Sequence, residues 1–239
     1  MTQDCVASIM PSTWIAFDAK LPVLTFAYSF GPGMSNALAV GVDGGLAVVS
    51  PPWRVADAAF DELARYGPVK ALVASNAFHY LGLPEWKRRY PDAVLYAPAQ
   101  SIARVRRKTG LVPILPIGED MNIANVVEFV DMPHYKTGET LVKMSTSRGR
   151  AWYVTDVVLN FERMPRHPVA RALFALSSSG PGLRFNNLAS LFMVQDKGAL
   201  KRWLAAEAAR DPPDFLIPAH GPVVDCAAQR GDVEKLFAG

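Results

Sequence analysis

Three segments of this sequence place groups that bind cations or move protons directly behind apolar, strand-like runs. Ser75-Asn76-Ala77-Phe78-His79-Tyr80-Leu81-Gly82 follows the apolar run 69–74, Trp152-Tyr153-Val154-Thr155-Asp156 ends in a carboxylate, and Ile217-Pro218-Ala219-His220-Gly221-Pro222 carries an imidazole. Imidazole nitrogens and carboxylate oxygens are ligands for zinc, iron and manganese, and the same pair exchanges protons near neutral pH. Loops at strand ends are where such groups gather over a sheet edge. Taken singly, each segment has a plainer reading: a histidine that only hydrogen-bonds, an aspartate that caps a turn, a His-Gly-Pro turn. Their joint occurrence, in this order, points to a site.

The surrounding pattern shows what would position them. Residues 23–28 are rich in β-branched and aromatic types, and runs at 37–42 and 46–49 flank Asp43-Gly44-Gly45, which suits a tight hairpin. Ala56, Ala59, Phe60 and Leu63 share one face of a predicted helix over 55–66, closed by Gly67-Pro68. The unbroken apolar run 69–74 suits a strand covered on both faces. A helix over 84–90, a strand over 93–97 and a helix over 99–108 follow. Strands are then predicted near 126–130, 141–144 and 151–155, a helix carries Leu200, Trp203, Leu204 and Ala208, and a last strand covers 215–217. That order suits two packed sheets with helices outside, in one domain over 1–239.

Composition narrows the function classes. Half of the 239 residues are hydrophobic, a fifth are charged and the net charge is only +3, so a packed core is expected and a nucleic-acid partner is not. The densest basic cluster, Arg104 to Lys108, reads as a solvated helix face. No apolar run is long enough to span a bilayer, and the first residues lack a signal-peptide pattern, so a cytoplasmic protein without membrane partners is expected. Cys5 and Cys226 are read as two unpaired thiols.

Ser35-Asn36-Ala37 with Asp43-Gly44-Gly45-Leu46-Ala47-Val48-Val49 resembles the opening strands of the metallo-β-lactamase superfamily. The strand ending in Asp156 resembles the one that bears its bridging aspartate, and Phe215 to Gly221 its closing strand and last histidine. The resemblance implies an α/β fold, a four-layer αββα sandwich. The superfamily's His-any-His-any-Asp-His signature is missing. With Ser75 at the position before it, its ligand places hold Asn76, Phe78, Tyr80 and Leu81. Shifted by one residue, they hold Ala77, His79, Leu81 and Gly82. Three residues before Gly138, where the next histidine belongs, stands Tyr135, with His134 one place away. The run from Asn76 through Trp86 to Pro98 resembles a poorly characterised branch of the same superfamily.

Two readings follow. In one, the usual dinuclear zinc site is gone and the protein binds a small molecule without hydrolysis, or with altered chemistry, using Asp156 and His220 in a pocket with Asn76, Phe78, Tyr80 and Tyr135. In the other, His79, Asp156 and His220, with His134 as a fourth candidate, hold a single divalent metal (zinc, iron or manganese) and hydrolyse an ester, a lactone or a similar compound. The cofactor is accordingly none or one ion. The apolar, arginine-bearing stretch 161–194 is read as core, as a lid over the pocket or as the contact surface of a homodimer.

Overall fold

A computed structural model describes residues 13–18, 20–30, 33–165 and 167–238; Cys5 lies outside them, and Cys226 is a buried free thiol. The first strands are β1 (Ile15–Asp18), β2 (Val23–Ser29), β3 (Met34–Val42), β4 (Gly45–Val49), β5 (Val69–Val73), β6 (Val94–Ala97) and β7 (Leu115–Pro116). They form one sheet in chain order, antiparallel as far as β4 and parallel from β4 onward. The predicted hairpin is the one joining β3 to β4, where Gly44 takes a left-handed backbone (φ 70°). Helices α1 (Asp57–Ala64), α2 (Leu83–Arg89) and α3 (Ile102–Thr109) connect the parallel strands.

The second half supplies β8 (Val127–Asp131), β9 (Thr140–Thr146), β10 (Gly149–Val154), a separate hairpin of β11 (Val158–Phe161) and β12 (Gly182–Phe185), and then β13 (Phe215–Pro218) and β14 (Val224–Asp225). Its main sheet runs β14-β13-β10-β9-β8, with β13 parallel to β10. The helices are α4 (Pro168–Leu176), α5 (Asn187–Met193), α6 (Lys197–Arg210) and α7 (Arg230–Phe237).

Strand alternation explains the layering, because successive side chains leave a sheet on opposite faces. Leu24, Phe26, Ala37, Ala39, Leu46, Val48 and Leu72 join Phe60, Leu63 and Trp86 in a core beneath the first helices. Their neighbours Val23, Leu38, Val40, Ala47, Val49 and Val73 face the other way and meet Val142, Met144, Ala151, Tyr153 and Ile217 between the two sheets. Leu141, Trp152, Val154 and Leu216 point outward again, onto Leu200, Leu204 and Leu236. Three apolar interfaces separate four layers, the αββα order expected. Lys143, on the outward face of β9, is the polar exception. It is fully buried, donates a short hydrogen bond to Glu207 of α6 and lies 3.5 Å from Glu128, as a buried cation requires.

The stretch 161–194 divides between the roles considered for it. Val158, Leu159, Leu183, Phe185 and Met193 are core, whereas α4 buries none of its residues and leaves Val169, Leu173 and Leu176 exposed. Local pattern is silent on the β11–β12 hairpin, whose strands lie either side of α4 in sequence. Among the described residues no helix is long and apolar enough to cross a membrane.

Candidate functional site

Parallel pairing brings two of the ligating groups together. Val154 of β10 pairs with Pro218 of β13, so Asp156 and His220, each two residues further on, emerge side by side. The closing strand is clamped by Asn36, which donates through Nδ2 to the carbonyls of Pro218 (2.9 Å) and Gly221 (2.8 Å). His220 donates from Nδ1 to the Met34 carbonyl (2.9 Å), which turns Nε2 toward Asp156 Oδ1 at 3.0 Å. From the first sheet, the segment after β5 brings His79 Nε2 to within 3.5 Å of the same oxygen. Among the described residues, His79, Asp156 and His220 form a group whose ligating atoms all lie within 4.8 Å of one another.

Beneath this trio lies a network of two further residues. Asn76 is fully buried and uses every hydrogen-bonding position of its amide. Its Nδ2 donates to Asp156 Oδ2 (2.7 Å) and to Glu139 Oε2 (3.0 Å), while its Oδ1 accepts from the backbone N–H groups of Phe78 (2.8 Å) and His79 (3.1 Å). Glu139, also fully buried, accepts from the backbone N–H of Asp156 at Oε1 (3.2 Å). Burial and the charge of Asp156 push the Glu139 carboxyl well above the usual carboxylate range. Burial works against the Asp156 carboxylate too, but the charge of His79 and the hydrogen bonds from both histidines hold it well below the usual range. His220 is the converse case: burial opposes the imidazolium, yet Asp156 and the Met34 carbonyl raise its pKa.

These shifts set a pH dependence for the metal-free protein. The raised His220 contributes stability present in full below its ordinary value of 6.5 and lost as pH rises through its folded value. The lowered Asp156 contributes stability present above 3.8 and lost as pH falls through its folded value. The difference in urea stability between the native chain and His220→Gln, measured in chelator, is therefore expected to be greatest between about pH 4 and 6.5 and to shrink on either side. A difference that grew above pH 7 would contradict the pairing.

The remaining expected residues are placed differently. Phe78 is 41 % exposed and lines the pocket, with the Arg104 guanidinium stacked 4.5 Å from its ring centre. Tyr80 packs on the core beneath the first helices, because the chain turns into α2 just beyond it, and Leu81 rather than Tyr80 lines the pocket over the trio. Tyr135 is buried behind the site near Glu139 and Asp156, where burial, aided by those two carboxyls, keeps its hydroxyl protonated. His134 does not join the cluster. Its backbone takes a positive φ of 65° and its side chain is exposed near Asp196, so the turn that buries Tyr135 directs His134 away.

Glu139 and Tyr28 are site residues that local pattern did not single out. Glu139 had a signal, a carboxylate at the head of an apolar strand, the counterpart of Asp156 at a strand's end. Tyr28 had none, since it reads as one more aromatic of β2. The pocket over the trio has a volume of about 180 Å³ and is walled by Tyr28, Phe30, Phe78 and Leu81. Burial, with Asp156 adding to it and Ser35 opposing it, pushes the Tyr28 hydroxyl up to about 12.

The donor set is of a kind that can hold a metal ion. Bonds of about 2.0–2.2 Å in tetrahedral geometry put neighbouring ligand atoms about 3.3–3.6 Å apart; of the two separations from Asp156 Oδ1, that of 3.5 Å falls within this range and that of 3.0 Å lies just below it. His220 also has its other nitrogen tied to a carbonyl, the usual outer support of a metal-binding imidazole; the Nδ1 of His79 is buried without a partner. Beside Asp156 stand the Asn76 amide and the Glu139 carboxyl, neither of them part of the three-residue group.

Two packed sheets between helices, with a His/Asp cluster at the strand ends, define the metallo-β-lactamase fold, and this chain has it. By sequence, no family model and no curated protein matches. By structure, the chain is similar to the DIM-1 metallo-β-lactamase exposed to ceftazidime, with a TM-score of 0.59 and 14% identity over 94% of this chain and 95% of the other. It is equally similar to a metallo-β-lactamase from Erythrobacter litoralis, with a TM-score of 0.60 and 16% identity over 94% and 95% of the two chains. A variant of the flavo-diiron protein from Thermotoga maritima aligns with a TM-score of 0.57 and 13% identity, over 89% of this chain and 57% of its own. At these identities the likeness is one of fold.

Proposed function

We propose that this chain is a hydrolase of small, uncharged carbonyl compounds, esters or lactones, that works with a single divalent metal ion. The observation that carries this reading is the convergence of His79 Nε2, Asp156 Oδ1 and His220 Nε2 at the floor of one pocket. A zinc, iron or manganese ion held by these three atoms would supply Lewis acidity for polarising a carbonyl and acidifying water. The chain's own residues do the rest. The Met34 carbonyl keeps the His220 ring from turning. Phe30, Phe78 and Leu81 give the pocket an apolar wall against which the uncharged part of a substrate can pack. Tyr28 keeps its proton, so its hydroxyl is available to donate to a substrate oxygen. Among the described residues no lysine or arginine lines the pocket, which supports an uncharged substrate over one anchored by a carboxylate or phosphate.

A metal-free binding protein is the second reading, favoured by the direct pairing of Asp156 with His220 at 3.0 Å. Metal analysis of protein purified without chelator decides between them, together with hydrolysis of neutral aryl esters and of γ- and δ-lactones. About one equivalent of ion per chain is expected, with turnover lost on chelation and restored by the ion. Protein without bound metal, and with a melting temperature unmoved by zinc, iron or manganese, would overturn the hydrolase reading.

A further inference from the structure

The buried pair Asn76 and Glu139 is not used by the chemistry above, yet no other polar group in the site is so completely bonded. Asn76 reaches two of the three ligating residues at once. Its Oδ1 receives the backbone N–H of His79, and its Nδ2 holds Asp156 by Oδ2. Glu139 holds the backbone N–H of Asp156 and accepts the second Nδ2 proton of Asn76. A backbone bridge between Asn76 and Glu139 joins the segment after β5 to the start of β9, and so one sheet to the other. Asp156 is thus gripped at its backbone and at one carboxylate oxygen, and only Oδ1 is left to face the imidazoles.

Glu139 and Asp156 bond the same amide nitrogen, and paired carboxyl oxygens are the ligands that hard cations take. Here the two N–H bonds of one amide fill that position, supplying the positive ends of two dipoles in place of a charge. We propose that Asn76, supported by Glu139, is a positioning residue that replaces a second metal ion: it cross-links Glu139 to Asp156, presents Asp156 through one oxygen, and so restricts the site to one ion. The proposal rests on the one-ion reading only for the count of one. The placement of Asn76 between two carboxyls is independent of it.

The test is Asn76→Asp, which keeps the shape and the Oδ1 acceptor for Phe78 and His79 but removes both donors. Zinc and manganese binding would be measured by calorimetry and by metal content on the full chain, along with the melting temperature with and without ion. The variant is expected to bind one more ion per chain than the native protein, and to gain more melting temperature from added manganese than the native protein does. A merely structural asparagine would lower stability without raising stoichiometry. Native protein with one ion, and Asn76→Asp also with one at unchanged affinity, would overturn the proposal and leave the hydrolase reading intact. Native protein with none, and the variant with one, would sink the one-ion reading and support the role of Asn76. If Asn76→Asp does not fold, Glu139→Gln replaces it: a donor then faces the Asn76 amide, and the native ion affinity is expected to fall about 10- to 100-fold. Unchanged affinity in that variant would overturn the proposal.

Discussion

Replacing Asp156 with asparagine is expected to lower ion affinity by at least about 100-fold, and to take ester or lactone hydrolysis to background, while the protein remains folded. Loss of an outer-shell partner already costs about 10- to 100-fold in affinity, and among the described residues Asp156 is the anionic group that reaches both imidazoles. Without its charge the site keeps two imidazole nitrogens and loses the group that offsets the cation. The fold should survive because the His220 ring keeps its bond to the Met34 carbonyl and the strands beneath keep their pairing. Calorimetry with zinc and manganese, and circular dichroism of the same sample, check both halves. His134→Ala is the matched control: its side chain is exposed and outside the cluster, so affinity and turnover should stay at native values. A drop in the control equal to that in Asp156→Asn would mean that the three-residue cluster is not the site.

The largest effect on stability is expected from Gly221→Ala. The backbone there has a φ of 125°, a conformation that side-chain-bearing residues rarely adopt, and a Cβ would lie 1.8 Å from the carbonyl oxygen of Asn160. That oxygen belongs to β11, whose Asn160 N–H donates to the His220 carbonyl at 2.8 Å. Either β11 or the closing loop must move, and His220 sits on the boundary. Backbone strain and overpacking together should cost about 3–5 kcal/mol, read from urea denaturation. Gly231→Ala gives the contrast. It lies within α7, nothing approaches its added methyl within 4 Å, and helix propensity predicts a gain of up to about 1 kcal/mol. If both alanines behaved alike, the close approach of β11 to the closing strand would be wrong.

Much of this architecture was readable residue by residue. Alternation along β3, β4 and β5 sorts Ala37, Ala39, Leu46, Val48 and Leu72 to one face and Leu38, Val40, Ala47, Val49 and Val73 to the other. That is a local, period-two property which survives without knowledge of the partner strands. Asp156 and His220 were legible for the same reason, each at the end of an apolar strand. The resemblance to metallo-β-lactamases, carried by those same segments, agrees with the fold the structure has. What the sequence by itself determined, then, was the layers and the strand ends where chemistry could sit.

The tertiary structure decided which side chains meet. His79 and His134 were both candidates on spacing, and only the turn geometry at His134 and the path of the segment after β5 separate them. The link from Asn76 to Asp156 spans 80 residues and that from Asn76 to Glu139 spans 63, each joining strands of different sheets. No local periodicity encodes such a meeting. It depends on the packing of one sheet on the other through the layer around Val49, Val73, Val142 and Tyr153. Sheet packing is governed by apolar volume summed over many residues, whereas a hydrogen bond forms or fails within a few tenths of an ångström. The residue types of the candidate site were therefore visible in the order of the residues, and which of them meet was set only when the two sheets closed on each other.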